Sequence, residues 1–146
     1  MTYVQTLLTN RTVTVPVLAW FIAQTIKVMI SVIVYKKYDV TRWFGAGGMP
    51  SSHTSYVISL TAVLGKTQGL ASTSFGIAVA FSFIVMHDAL GVRRAAGKQA
   101  QLLNSLMTTH FAGDEFYEKL KELLGHQPLE VFVGGLLGLL IGLNFG

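Results

Sequence analysis

The chain contains no cysteine in its 146 residues. Disulfides, thiolate catalysis and cysteine-bound metals are thereby excluded. Charge is also scarce. Only 12% of residues are Asp, Glu, Lys or Arg, about half the share usual in a soluble domain. The N-terminus lacks the basic flank and small-residue cleavage site of a signal peptide, so the first apolar segment is expected to stay in place. No stretch is left over for a separate soluble domain, and residues 1–146 read as one membrane-embedded unit.

What is present is apolar. Hydrophobic residues make up 51% of the chain, and the mean hydropathy is +0.53. A membrane-crossing helix needs roughly 20 mostly apolar residues. Val13–Tyr35, Leu70–Leu90 and Pro128–Phe145 meet that length. A fourth segment, Ser51–Leu64, is short and reaches the far surface only if it extends through Lys66. The expected fold is all-α: a polytopic bundle of about four transmembrane helices with a cytoplasmic amphipathic segment. That segment lies in Lys98–Leu124, the only long polar stretch. There Leu102, Leu103, Leu106 and Met107, then Phe116, Leu120, Leu123 and Leu124, recur at helical spacing on two helices parted near Gly113–Asp114. Their apolar faces suit the bilayer surface or a cap on the bundle, and no chemistry is assigned to them.

Four alternating spans divide the basic residues unequally. Lys36, Lys37, Arg42, Arg93, Arg94, Lys98, Lys119 and Lys121 fall on one side, and only Arg11 and Lys66 on the other. The positive-inside rule places the richer side in the cytoplasm and both termini outside a cell membrane.

The most informative segment is Gly47-Gly48-Met49-Pro50-Ser51-Ser52-His53-Thr54. Its glycines allow close approach to a ligand, and Pro50 suits the first turn of a helix. Ser51, Ser52 and the free N–H groups of that turn make an anion site, helped by the helix dipole. His53 lies where it can exchange a proton with the anion. Lys27 sits near the middle of the first span, with Gln24 and Ser31 on its face. A central lysine costs on the order of 2.5–3.5 kcal/mol to insert, so a buried partner or polar cavity is expected. At the end of the third span, Arg93 and Arg94 suit bidentate phosphate recognition. Asp88 is expected to pair with one of these arginines or with Lys27, and His87 reads as interfacial. His126 and Glu130 are four residues apart. A carboxylate bonded to one imidazole nitrogen fixes the tautomer and raises the basicity of the other, which suits a nucleophile or base. From Glu130 a stripe of Gly134, Gly138, Gly142 and Gly146 permits close helix packing. It reads as bundle packing, and a second copy of the chain could also dock on its Gly134, Gly138 and Gly142 face.

Pro50-Ser51-Ser52-His53 resembles the Pro-Ser-Gly-His motif of the type-2 phosphatidic acid phosphatase superfamily, which includes vanadium-dependent haloperoxidases. His126-x-x-x-Glu130 resembles its His-x-x-x-Asp motif. With Asp88-x-x-Gly-Val-Arg-Arg-x-x-Gly-x-Gln and Gly-His-x-Pro-x-Glu-Val, the pattern from about Gln24 onward looks like the divergent branch of small membrane proteins in that superfamily. The resemblance implies a metal-independent phosphatase with no cofactor. His126 would be the nucleophile, Glu130 its orienting acid and His53 the general acid. Lys27, Ser51, Ser52, Arg93 and Arg94 would bind the phosphoryl group, with Asp88 and Gly48 in support. Three departures stand out. Val34-Tyr35 replaces the Arg-Pro of the first motif, Lys119 and Leu120 stand where Ser-Arg precedes the third-motif histidine, and four spans replace six. Arg93 and Arg94 must supply the missing guanidinium.

The reading is an integral membrane lipid phosphate phosphatase that works through a phosphohistidine, facing the cytoplasm. Its candidate substrates are phosphatidylglycerol phosphate, phosphatidic acid and prenyl pyrophosphates. Its partners are that substrate and membrane lipids, with no nucleic acid. One rival is an inactive lipid-phosphate carrier. A second is a metal enzyme or transporter using His53, His126, Glu130 and Asp88. The topology is directly testable, because the chain has no cysteine of its own. A Lys98→Cys variant is expected to resist an impermeant thiol reagent in intact cells and to label after permeabilisation. Labelling in intact cells would reverse the orientation.

Overall fold

A computed structural model of the chain describes residues 2–36, 47–110, 120 and 125–146. Six helices are present among them: α1 Tyr3–Thr9, α2 Arg11–Tyr35, α3 Ser52–Gln68, α4 Thr73–Leu90, α5 Val92–His110 and α6 Pro128–Phe145. No strand occurs among the described residues, so the all-α expectation holds. Three stretches are long and apolar enough to cross a membrane: Arg11–Val34, Thr73–Thr109 and Pro128–Phe145. Helices α2, α4 and α6 thus form where the spans at Val13, Leu70 and Pro128 were expected.

Helix α3 runs past Leu64 and through Lys66, as the short fourth segment required. Its 17 residues span about 25 Å at 1.5 Å per residue, less than the ~30 Å of a bilayer core. Its surroundings explain this. It packs against α2, α4 and α6, so protein rather than lipid covers much of its surface, and its residues are correspondingly small and polar. Ser52, Thr54, Ser55, Ser59, Ala62 and Val63 are buried.

The closest packing is between α3 and α6. A Cβ at Gly134 would collide with the carbonyl oxygen of Ser51, and one at Gly138 with that of Ser55. At Gly142 a Cβ would come within 2.7 Å of the Ser59 carbonyl oxygen and of Ala62 Cβ. The pairs advance together by four residues, so α3 and α6 run parallel and share one seam. The glycine stripe therefore works inside the chain. The face expected to be open to a second copy is covered by α3, because only glycine lets the two backbones come this near.

Hydroxyl groups bind the other neighbours, as they must where no water reaches. Ser55 Oγ donates to the carbonyl of Ala19 on α2 over 3.3 Å. Thr61 Oγ1 and Ser82 Oγ lie 2.9 Å apart across α3 and α4, and Ser82 also donates to the Val57 carbonyl over 3.1 Å. Side chains of modest size fill the centre: Val15, Ala19, Val63 and Ile141, flanked by Ile22 and Leu137. The large ones, among them Phe21, Ile33, Phe83, Ile84, Phe132 and Leu140, point outward, which is the pattern of a lipid-facing surface.

Helices α2 and α4 run opposite to α3 and α6. Arg11 Nη1 accordingly reaches the Gly146 carbonyl at 3.1 Å, and Lys66 Nζ the Leu143 carbonyl at 2.9 Å. The two basic residues assigned to the poorer side do share one end of the bundle. Gly48, Arg93, Arg94 and His126 lie at the other. Two local expectations are corrected. Pro50 does not enter the first turn of α3. Ser51 takes the N-cap position, accepting a hydrogen bond from the Thr54 N–H, and Pro50 stands just outside. The amphipathic segment begins at Val92, directly after Gly91 ends α4, rather than at Lys98. The second amphipathic helix expected there lies outside the described residues, apart from Leu120. Its backbone N–H and carbonyl both pair with the Asn104 side chain.

The seam makes an unequal prediction for adjacent glycines. Gly138→Ala forces a methyl onto backbone that cannot yield and should cost about 1–3 kcal/mol. Gly135→Ala meets only Thr54 Cγ2, at an ordinary 3.7 Å, and should be neutral or stabilising by up to about 1 kcal/mol. Unfolding of the purified variants in detergent measures the difference.

Candidate active site

The site forms where two helix N-termini meet. The Ser51 N–H donates to the Glu130 carbonyl over 3.0 Å, joining the start of α3 to the first turn of α6. Ser51 Oγ accepts from Thr54 Oγ1 at 3.0 Å, so this serine caps its helix. Ser52 Oγ is buried and has no hydrogen-bond partner among the described residues.

On α6, Gln127 is the N-cap, Pro128 opens the helix and Glu130 occupies the third position. Glu130 Oε2 accepts the Gln127 N–H at 3.1 Å and lies 2.9 Å from His126 Nδ1. His126 itself precedes the helix, so the pair meets as a residue before the cap and a first-turn carboxylate. Its N–H donates to the Ala89 carbonyl over 3.2 Å, fixing it to the end of α4. Gly125, with φ of +142°, would drive any Cβ into the Arg94 backbone. Only glycine allows that approach, which brings α5 against the histidine. His126 is thus held from three sides and is 3% exposed.

The chemistry of the imidazole follows from this hold. Nδ1 faces a carboxylate and carries the proton, which leaves the lone pair on Nε2. Nε2 is buried and has no hydrogen-bond partner among the described residues. Burial holds the His126 pKa below its ordinary value, while the Glu130 hydrogen bond and charge oppose that shift; Lys27 and Arg93 reinforce it. The ring is therefore neutral at neutral pH.

Around it lies a polar cleft of about 200 Å³, lined by Gly47, Gly48, Arg94, Lys98, Gln101 and Glu130 among others. Lys27 is 4% exposed, and its side chain packs under Gly48, where a Cβ would lie 3.5 Å from Lys27 Cγ. Gly48 has φ of +83°, so its close approach to the lysine stem relies on glycine. Gln24 and Ser31 are buried with Lys27, as their shared face predicted. Asp88 pairs with Arg93, Oδ2 to Nε, at 2.6 Å. His87 stacks on Phe83.

His53 takes a different position. It lines an apolar groove of about 360 Å³ with Val17, Trp20, Tyr56, Val57, Phe81 and Val85, between α2, α3 and α4. Arg93, His126, Lys27 and Asp88 nevertheless lie near enough to act on its charge. The structure thus brings His126, Glu130, Arg94 and Gly48 to one cleft. Lys27 lies against Gly48 and Ser51 is bonded to Glu130, both at its border, whereas Arg93, Ser52 and His53 are not among the described residues that line it. Lys98 and Gln101 were missed. With Arg94, which the sequence did single out, they form an i, i+4, i+7 set; Lys98 and Gln101 fall at the start of Lys98–Leu124, the stretch to which no chemistry was assigned. Among the described residues no three His, Asp or Glu side chains gather to hold a metal ion.

The described chain is thus a helical bundle with three helices of membrane-crossing length, and at one end a buried, carboxylate-held histidine borders a cationic cleft. Comparison supplies the family: the chain belongs to the divergent PAP2 family, whose sequence profile matches residues 8–141. It is similar to YuiD of Bacillus subtilis (strain 168), an uncharacterized membrane protein, with 43% identity over 149 residues and 94% of each chain covered. No solved structure matches.

The His126 environment sets a pH dependence. Its folded pKa lies below the ordinary 6.5, so the unfolded chain binds the proton more tightly. The associated stability is present above about pH 6.5 and is lost as pH falls through that value toward the folded pKa. His126→Asn should flatten this part of a denaturation-midpoint profile in detergent. An unchanged acid limb would show that the imidazole is not held neutral.

Proposed function

We propose that this protein is a lipid phosphate phosphatase acting through a phosphohistidine at His126, with its site facing the cytoplasm. The observation that carries this reading is the His126–Glu130 pair, with its buried Nε2 beside a cationic cleft. A carrier of lipid phosphates needs the cations but has no use for an oriented lone pair.

In the proposed reaction, Nε2 attacks phosphorus and the bond from phosphorus to the lipid oxygen breaks. His53 gives its proton to that leaving oxygen. Water then attacks the phosphohistidine, His53 takes a proton from it, and phosphate departs with His126 restored. Lys27, Arg93, Arg94, Ser52 and the first N–H groups of α3 stabilise the charge on the phosphoryl oxygens. Asp88 orients Arg93. The position of His53 supports the role: it lines an apolar groove that suits a hydrocarbon chain, and His126 lies near enough to act on its charge.

The test is phosphate release by purified protein from a panel of lipid phosphates, with chelator present. His126→Ala should abolish release. His53→Ala should slow it by about 10²–10⁴-fold and spare aryl phosphates whose leaving group needs no proton. Lys27→Met should insert well, because the charge penalty disappears, yet lose most activity and bind vanadate more weakly. Near-wild-type activity in His126→Ala would remove the nucleophile assignment. Vanadate binding without release from any lipid would favour the carrier.

A further inference from the structure

The cations at the site fall into two groups. Lys27 and Arg93 act on both His53 and His126, so they bound the place where a reacting phosphoryl group would sit between the imidazoles. Arg94, Lys98 and Gln101 line the cleft beside His126, and Lys27 and Arg93 are not among the described residues that line it. They stand at i, i+4 and i+7 on α5, one above another along about 10 Å of helix. The same cleft is lined by Gly47 and Gly48, both at positive φ. The carboxylate in the cleft, Glu130, is already engaged by His126 and the Gln127 N–H. This second row therefore presents two full charges and an amide to whatever extends past the reacting phosphorus. A single phosphoryl group held between the histidines would leave that row without a ligand.

We propose that Arg94, Lys98 and Gln101 form a distal subsite for a second anionic group, so that the preferred substrate carries two phosphoryl groups joined directly or through a short linkage. The inference rests on the phosphatase reading of the same site and narrows it: pyrophosphates, and phosphomonoesters borne on a phosphodiester, are favoured over a lipid with one phosphate. Arg93 serves the reacting group and Arg94 the distal one, which gives the adjacent arginines separate tasks. Lys98 and Gln101 act as specificity residues.

Binding tests this without turnover. Methylphosphonate is compared with diphosphonates having one-carbon and three-carbon linkers, by calorimetry on the purified protein in detergent. At least one diphosphonate should bind roughly tenfold or more tightly than methylphosphonate, the gain expected from an added charge-assisted contact. Lys98→Ala should bring that ratio close to one, and Gln101→Ala should reduce it. Lys66→Ala removes the same charge from the opposite end of α3 and should leave the ratio intact. These positions are exposed, so the variants should fold. Equal binding of all probes by the wild type would overturn the inference, as would a ratio that survives Lys98→Ala. A ratio that behaves as expected, in a protein that releases phosphate from no lipid, would instead overturn the phosphatase reading and leave the subsite standing.

Discussion

The contact of α3 with α6 along a line of glycines is the constraint on which the rest depends. The helices run parallel, so their N-termini emerge at the same end of the bundle, and the Ser51 N–H reaches the Glu130 carbonyl there. Neither helix alone has a site. The start of α3 supplies a serine, a histidine and main-chain donors; the start of α6 supplies a carboxylate and, just before it, a second histidine. Were the backbones a methyl group further apart, the Ser51–Glu130 bond would be lost. The two halves of the site would then separate by a distance large enough to undo any geometry they share.

The same contact explains why the core is built from small residues. Val63 is the largest side chain among the fully buried ones. Lipid tails offer helices no hydrophobic incentive to associate, so cohesion comes from close backbone approach and from hydroxyl groups bonded across helices. Helix α3 carries both devices, on different faces: serine and alanine toward α6, and Thr61 toward Ser82 of α4.

Much of this was legible in the sequence. Three apolar segments gave three helices almost to the residue, because length and hydropathy are sufficient signals when lipid is the solvent. The His126–Glu130 pair and the burial of Lys27 followed from spacing and cost. The extension of α3 through Lys66 was legible too, but not its setting: its composition answers to protein neighbours, which a hydropathy argument does not see. The role of the glycine stripe as packing was readable, but its partner was not, since a repeat of four names no opposite helix. The separation of Arg93 from Arg94 was likewise invisible. Adjacent residues on a helix point about 100° apart, and only the position of Asp88 and of the cleft shows which way each turns. Lys98 and Gln101 were passed over because a polar face on an amphipathic helix has a sufficient explanation in solvation alone.

The parallel pairing has a consequence for biosynthesis. Parallel neighbours cannot be joined by a tight turn, and here α4, α5 and the segment after them separate α3 from α6. While the chain is being made, α2, α3 and α4 can enter the bilayer and pair, but the groove in α3 that receives the glycines stays open until the eighteen-residue α6, made after them, arrives. An element made later than its partners is thus the one that closes the groove and brings His126 to the start of α3. Before it arrives the other helices can be inserted, and even partly packed, yet hold only half of the site.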